Sequence, residues 1–506
     1  MTRQIIYLSV LILISFLFDF TQVATAADFK NIRKTIFKIS VVKQKSNEFQ
    51  PWLKNPIQYS AGSGFYIQEG IITNAHVVES AKFITVQRDG WDHAVSATVK
   101  FIAHDCDLAL LDIADSKMLE GIKPLPFGEF PHFRDTVNVI GYPTGGEQIS
   151  ITEGIVSRIA FGQYIHSTYH RHVLIQIDSA VNSGNSGGPV LKNGDLIGVA
   201  FQVFANAENT AYVIPVPLIQ RFLKDVTDGS YDGHPDLGIL TMNQVLENKF
   251  AREYYKITDK ETGVPVNFVE STSKAAGKIQ AGDILTRING KKIGTDGKIS
   301  YAGERVPFEV EYDLMQVGDE IKLSIVRDGK PHEFDVKLGS QKGRYRQGIR
   351  YDLYPRFYIH GGLIFMALSK NFIDSRQDMD QTHLSALQYL HENFFLEPRF
   401  QKVKDIIVLS GRLPGSINAY AEPYVNDILL SLNGKEIYSL EELASAIEQN
   451  DTPLYVYLFR DRMAPLILPK KTTDIDHEKL LGRYNAKLQK WLGDENEDSV
   501  SADWNH

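Results

Sequence analysis

Between about residue 33 and residue 220 the apolar positions fall into short runs, many of them alternating with polar residues. They are Ile36–Val42, Ser63–Ile67, Phe83–Gln87, Leu108–Ile113, Val137–Ile140, Ile149–Ile159, Val173–Ile177 and Leu196–Phe204, separated by Gly, Pro, Asn and Asp. Many short strands at such spacing predict an all-β barrel or sandwich. The pattern then changes: Pro215 and Pro217 precede Leu218-Ile219 and Phe222-Leu223, an apolar spacing that suits a short helix. Asp225–Pro235, rich in Asp, Gly and Pro, reads as a linker.

Two later stretches share one pattern. Residues 281–290 read AGDILTRING and residues 425–434 read VNDILLSLNG, a common D-I-L-x-x-(I/L)-N-G. A strand running into Asn-Gly predicts a tight hairpin, because both residues tolerate positive φ. A helix should follow each copy. In the first it is Phe308–Val317. In the second Ser439 and Glu442 form a capping-box pattern before Leu440, Leu443, Ala444 and Ile447, which share one helical face. Strands Glu320–Val326 and Leu454–Phe459 complete two related α+β modules, with an amphipathic insertion at Thr382–Phe395.

A length of 506 residues fits about three domains. With 43% hydrophobic and 23% charged residues the chain has the balance of a globular protein, and its net charge of −8 argues against a basic nucleic-acid binder. A single cysteine excludes an intramolecular disulfide framework and any multi-cysteine metal site; Cys106 reads as a small buried apolar residue. The start carries Arg3, an apolar run from Ile5 to Phe18, and the small residues Ala24-Thr25-Ala26. This is the layout of a secretory signal peptide over residues 1–26. An uncleaved anchor is the alternative reading. No other run approaches membrane-spanning length, so the mature protein is expected to be exported without a stable membrane span, to the periplasm or beyond the cell. The last dozen residues are acidic and read as a solvated tail.

The chemistry concentrates in the first region. Gly184-Asn185-Ser186-Gly187-Gly188-Pro189 places a serine among glycines, which allow a tight turn and bring N–H groups toward a developing oxyanion. A serine hydroxyl needs a base to take its proton. Thr73-Asn74-Ala75-His76-Val77-Val78, after the apolar strand Gly70-Ile71-Ile72, offers His76. The carboxylate that would orient the imidazole is Asp105 or Asp107 of His104-Asp105-Cys106-Asp107-Leu108. The chain order His, Asp, Ser is that of chymotrypsin-like enzymes.

TNAHVV, DLALL and GNSGGP, in this order and at these separations, resemble the HtrA/Deg family of serine proteases. The resemblance runs on through Gly141-Tyr142-Pro143, Gly154-Ile155-Val156-Ser157, Gln176-Ile177-Asp178 and Tyr212-Val213-Ile214-Pro215 into the two modules, which resemble PDZ domains. The wording of PTGGEQISITEGIVSRI is similar to the plant-type Deg branch and its bacterial relatives. The resemblance implies a mainly β fold: a chymotrypsin-like double β-barrel over residues 27–224, PDZ-like modules at 236–340 and 345–470, and a C-terminal helical segment with an acidic tail at 471–506. It selects Asp107 over Asp105 as the partner of His76, with Ser186 as nucleophile. It implies an oxyanion hole from the N–H groups of Gly184 and Ser186, shaped by Asn185. It also implies a homo-oligomer, a trimer or a multiple of three.

In chymotrypsin-like enzymes the residue six before the nucleophile lies at the base of the S1 pocket, so the resemblance implies Ala180 there, with Ala200 and Phe201 on the apolar wall. Cleavage after Val, Ala or Ile is therefore expected. PDZ domains bind an extended peptide as an added strand. The carboxylate-binding loops would be Asp236-Leu237-Gly238-Ile239 and His360-Gly361-Gly362-Leu363-Ile364-Phe365, with Asp236 unfavourable for a bound carboxylate. One or both modules acting only as oligomer contacts is the alternative. The loop 161–172 carries His166, His170 and His172; solvated residues are the expected reading and a pH-sensitive loop the other. No metal, cofactor or nucleotide-binding loop is implied. The leading function is an ATP-independent endopeptidase acting on misfolded or exported polypeptides. The alternatives are a chaperone or PDZ scaffold with a mostly latent protease, and a secreted protease for one specific host or partner protein.

Overall fold

The computed structural model describes residues 26–143, 148–179, 184–203, 211–258, 260–340, 348–376, 378–393 and 403–493, without the side chains of 26–28, 202 and 203. The expected signal peptide falls almost wholly, and the acidic tail wholly, outside the described residues. Among the described residues no helix is long and apolar enough to cross a membrane.

Twelve strands close into two barrels. The first comprises β1 (Ile36–Lys43), β2 (Gln58–Ile67), β3 (Gly70–Thr73), β4 (Ala81–Arg88), β5 (Val95–Ala103) and β6 (Leu108–Ile113), in the order β1-β2-β3-β6-β5-β4. The second comprises β7 (Thr136–Gly141), β8 (Ser150–Gln163), β9 (Arg171–Ile177), β10 (Pro189–Lys192), β11 (Asp195–Val203) and β12 (Ala211–Pro215), in the order β10-β11-β12-β9-β8-β7. The two-residue period of a strand sorts side chains between distinct cores. In β6, Ala109 and Leu111 fill the first barrel with Phe37, Ile39 and Val41. Leu108 and Leu110 face the other way, toward Ile140, Leu174, Leu196 and Ile214 of the second barrel. The helix Val216–Asp225 closes this seam with Leu218, Ile219 and Phe222. Each such side chain contributes about 1.5–3 kcal/mol by leaving water.

The linker Asp225–Pro235 is held against the protease domain. Buried Arg221 donates to the Gly233 carbonyl at 3.1 Å and to the Tyr231 hydroxyl at 2.8 Å, so the segment wraps a guanidinium that must be satisfied.

In the first module the strands Ile239–Thr241, Val264–Val269, Ile284–Ile288, Glu320–Arg327 and Lys330–Lys337 lie side by side in that order. In the second, one sheet orders Ile407–Arg412, Leu363–Ala367, Phe357–His360 and Lys490–Trp491, and the other is built around Leu429–Leu432 and Leu454–Phe459. Both Asn-Gly turns have positive φ at both residues: 46° and 77° at Asn289-Gly290, 50° and 79° at Asn433-Gly434. Ser439 Oγ accepts from the Glu442 N–H at 3.1 Å, but the Glu442 carboxylate reaches Tyr438 N, one residue before the position that a capping box predicts. The first module's helix shrinks to Val310–Asp313, because Asp319 captures the N–H of Gln316 and turns the chain. The helix Lys470–Arg483, expected beyond the second module, packs into it through Leu480. So does Trp52, from the loop between β1 and β2.

Candidate active site

β3 pairs with β6, placing Thr73 opposite Ala109. That ladder brings two turns together: the one-turn helix Ala75–Val78 after β3, and the turn that enters β6. Asp107 closes the second turn with φ 56°, a left-handed conformation that Asp tolerates better than most residues. Its Oδ2 lies 2.7 Å from His76 Nδ1, and its Oδ1 accepts the backbone N–H of His76 at 2.9 Å. Asn74 Nδ2 donates to the Asp107 carbonyl at 2.9 Å. The Asp107 side chain is 1% exposed and that of His76 32%. A buried carboxylate thus faces an imidazole whose other nitrogen is left to the outside. Lys43 Nζ donates to the His76 carbonyl at 2.6 Å; burial pushes this ammonium's pKa down, partly offset by Glu79.

Ser186 sits on a loop that only glycines permit. Gly187 has φ 82°, and a Cβ there would lie 2.1 Å from the Ser63 carbonyl oxygen; one on Gly188 would lie 2.1 Å from that of Ile140. Ser63 anchors the loop from the first barrel. Its N–H donates to Ser186 O at 2.9 Å and its hydroxyl to Gly184 O at 2.7 Å. Sequence reasoning missed Ser63, although Gly62-Ser63-Gly64 carries a signal: a Cβ at either glycine would strike a neighbour at 2.7 Å. Among the described residues the N–H groups of Gly184 and Ser186 have no protein acceptor. Ser186 Oγ reaches the Phe201 carbonyl at 3.5 Å, and no hydrogen bond joins it to His76 in this conformation.

Asp105 is committed elsewhere, accepting from Tyr231 Oη at 2.6 Å and Cys106 N at 2.8 Å. Burial opposes its charge, yet His170, Arg221, His172 and the Tyr231 hydroxyl outweigh burial and hold its carboxyl below the usual range. Cys106 is buried, and burial pushes its thiol well up.

The reading of His166, His170 and His172 as solvated loop residues is overturned: they are 8%, 7% and 0% exposed. Burial drives His166 well below its ordinary range and His170 to about 4, the latter partly offset by Asp105. His172 Nδ1 lies 2.8 Å from Asp313 Oδ1 of the first module, and its Nε2 lies 2.9 Å from the Asp105 carbonyl. His172, His234 and Asp313 offer donor atoms within 4.8 Å of one another, a spacing that a cation could share. Both His172 nitrogens face acceptors, the side chain of Asp313 and the carbonyl of Asp105.

The expected substrate-binding positions divide between the protease domain and the two modules. Ala180 lies outside the described residues. Ala200 points into the second barrel, and Phe201 packs on Tyr164 with ring centroids 4.5 Å apart. Gly238, φ 70°, precedes Ile239 on an edge strand. Gly361, Gly362 and Leu363 are buried; Gly361 lies under Thr473, and Gly362 under Leu480 and Asn418.

Two closed barrels with a buried Asp–His pair and a glycine-bound serine at their junction define the architecture of a trypsin-like peptidase. A family described as trypsin-like peptidase domain matches residues 62–199, and PDZ domain families match residues 235–338 and 347–490. The chain is 34% identical over 417 residues to the Arabidopsis thaliana protein "Protease Do-like 4, mitochondrial", covering 82% of this chain and 76% of that one. It is 35% identical to "Protease Do-like 2, chloroplastic" of the same plant, covering 82% and 68%. A solved structure titled "HtrA-type protease AlgW with tripeptide" covers 62% of this chain and 96% of its own, at 22% identity and a TM-score of 0.49. The chain belongs to the Do-like, or HtrA/Deg, family of serine proteases.

Proposed function

We propose that the protein is a serine endopeptidase whose reaction is carried by Ser186, His76 and Asp107. The observation that carries this reading is the doubly bonded Asp107: one carboxylate oxygen on His76 Nδ1, the other on the His76 N–H. It fixes the ring so that Nε2 is the free base. Ser186 Oγ would attack the scissile carbonyl while His76 Nε2 takes its proton and then delivers it to the leaving amine. Water would reverse the sequence at the acyl-enzyme, and Asp107 would stabilise the imidazolium without itself taking the proton. The N–H groups of Gly184 and Ser186, with Asn185 between them, would meet the oxyanion. Ala180, which the family resemblance puts at the S1 base, would favour Val, Ala or Ile before the cut. Unfolded, exported polypeptides are the substrates we propose, and the edge strand of the first PDZ domain supports capture of an extended peptide. Tyr59 and Phe83 both pair with Val42 across β1 and are 83% and 53% exposed. This apolar face supports self-association through the protease domain, as a trimer or a multiple of three.

A second reading, a mostly latent protease that works as a chaperone, is favoured by the missing contact between Ser186 and His76. The purified chain and its Ser186→Ala variant separate the two. Digestion of casein by the parent and a loss of about 10⁶-fold in turnover in the variant support the endopeptidase. Suppressed aggregation by both, without cleavage, favours the chaperone.

A further inference from the structure

The stretch entering the second PDZ domain, from Gly348 to Tyr354, does not simply bridge two modules. Asp352 Oδ1 accepts the N–H of Ser80, two residues beyond the one-turn helix that carries His76. Asp352 Oδ2 lies 2.8 Å from Nε2 of His104, which opens the turn ending at Asp107. One carboxylate therefore ties together the two turns that bring His76 and Asp107 face to face.

The neighbouring contacts reinforce the tie. His104 Nδ1 lies 2.9 Å from His166 Nε2. With His104 donating from Nε2 to Asp352, its Nδ1 is an acceptor and His166 Nε2–H the donor, which suits a ring that burial keeps neutral. Tyr351 stacks on His166 with centroids 4.0 Å apart and planes 17° from parallel, and its hydroxyl donates to the His166 carbonyl at 2.8 Å. The His166 ring in turn lies 6.1 Å from that of His76. Burial opposes the charge on Asp352, but the hydrogen bond with His104, the Ser80 N–H and Lys82 outweigh it and hold its carboxyl below the usual range, so the acceptor stays a carboxylate.

We infer that Asp352 and Tyr351 are positioning residues for the His76–Asp107 pair, acting across both turns from outside the protease domain. The inference rests on the endopeptidase reading for its kinetic consequence and on the hydrogen bonds alone for its structural one. The second PDZ domain grips the protease loop that holds Trp52, so its seating sets the seating of this strap. A misplacement of about 1 Å at a catalytic pair costs about 100-fold in rate.

The test compares parent, Asp352→Ala, Asp352→Asn and Tyr351→Phe on a fluorogenic peptide. Each is also labelled at Ser186 with a fluorophosphonate, and each has its downfield His76 Nδ1–H proton resonance recorded. Asp352→Ala should lower kcat and the labelling rate by about tenfold or more with KM within about twofold. Asp352→Asn keeps an acceptor for Ser80, and its amide N–H meets His104 Nε2 once the His104 and His166 rings each move their proton to Nδ1, so it should recover part of the loss. Tyr351→Phe keeps the stack and should fall by about threefold at most. The Nδ1–H resonance should shift or broaden in the alanine variant alone. Unchanged kcat and an unchanged resonance in Asp352→Ala overturn the inference; so does an asparagine variant as impaired as the alanine one. A parent that neither cleaves nor labels removes the endopeptidase reading instead, and the resonance still decides the positioning role.

Discussion

In the first PDZ domain the strand Ile239–Thr241 lies at the edge of its sheet, with neighbours on one side only among the described residues. In the second, Leu363–Ala367 has Ile407–Arg412 on one side and Phe357–His360 on the other. The glycine loop before that strand is roofed. The Gly361 carbonyl accepts from Asn418 Nδ2 at 3.0 Å, the Gly362 carbonyl accepts from Leu413 N at 2.7 Å, and Leu480 of the helix Lys470–Arg483 sits above. An extended peptide binds by adding to a free strand edge, so the first domain keeps the groove and the second has filled it with its own chain. The shared D-I-L-x-x-(I/L)-N-G marks a common hairpin. What decides access lies outside the repeat, in a C-terminal helix that only the second domain packs against its loop.

The sharpest way to break this comparison is to add one methyl group. A Cβ on Gly362 would lie 2.5 Å from Asn418 Nδ2, 2.8 Å from Leu480 Cδ1 and 2.9 Å from the Leu413 carbonyl, at a φ of 76°. Gly290 of the first domain has φ 77° with open space around it. Gly362→Ala should cost about 3 kcal/mol from crowding and backbone strain, and Gly290→Ala about 1 kcal/mol from strain alone. Urea unfolding followed by Trp52 and Trp491 fluorescence, both indoles being tied to the second domain, measures the first; hydrogen exchange in the Ile284–Ile288 hairpin measures the second. Equal costs would mean that the second loop is open after all.

A smaller effect concerns how the second domain is held. Glu48, in the loop between β1 and β2, has a buried Oε2 without a hydrogen-bond partner, although its stem is partly exposed. Burial raises its pKa to about 7, against the pull of Arg376 and Arg350. A carboxyl with a raised folded pKa gives up its proton more easily when unfolded. Stability is therefore lost as pH rises from about 4.5 to about 7, by about 2 kcal/mol once the exposed stem is allowed for. Glu48→Gln should flatten that slope in Tm measured from pH 4.5 to 8. An unaltered slope would detach Glu48 from the docking of the second domain.

The sequence carried the strands that alternate and the turns that need positive φ. Ile36–Val42 and Leu108–Ile113 were legible because their apolar residues report burial directly. Val95–Ala103, Pro189–Lys192 and Ala211–Pro215 were not, being short or diluted with Ala, Ser and Lys. At the site, His76, Asp107 and Ser186 stood out through their flanking residues, and the structure adds how the first two meet. What stayed hidden was long-range. Nothing local to His172 announces Asp313, 141 residues away, and nothing near His104 announces Asp352, 248 residues away. A histidine in a polar loop reads as solvated until the partner that buries it is known. The linker Asp225–Pro235 hides a contact of the same kind: nothing in it announces that buried Arg221 donates to the Gly233 carbonyl and the Tyr231 hydroxyl.

The mildest perturbation asks whether the free edge of the first domain is used. Gly238 has φ 70°, and a Cβ there would lie 2.2 Å from that of Ser273, whose own N–H and hydroxyl both hold the Glu270 carbonyl. Glu270 N donates back to the Gly238 carbonyl at 2.9 Å, so Gly238, Glu270 and Ser273 form one braced corner beside the edge strand. Gly238→Ala must push that corner apart, tilting the N–H groups that would hold a peptide carboxylate while leaving the sheet from Val264 onward in place. Fluorescence anisotropy with an apolar C-terminal peptide should show affinity falling about tenfold, or about 1.4 kcal/mol, with the unfolding of the protease barrels unmoved. The effect stays small because a bound strand also draws on main-chain hydrogen bonds along Ile239–Thr241, which the substitution spares. The matching change at Gly361, whose Cβ would meet Thr473 at 2.6 Å, should alter stability and leave this binding untouched. If instead Gly361→Ala weakens the peptide and Gly238→Ala does not, the open and filled grooves have been assigned the wrong way round.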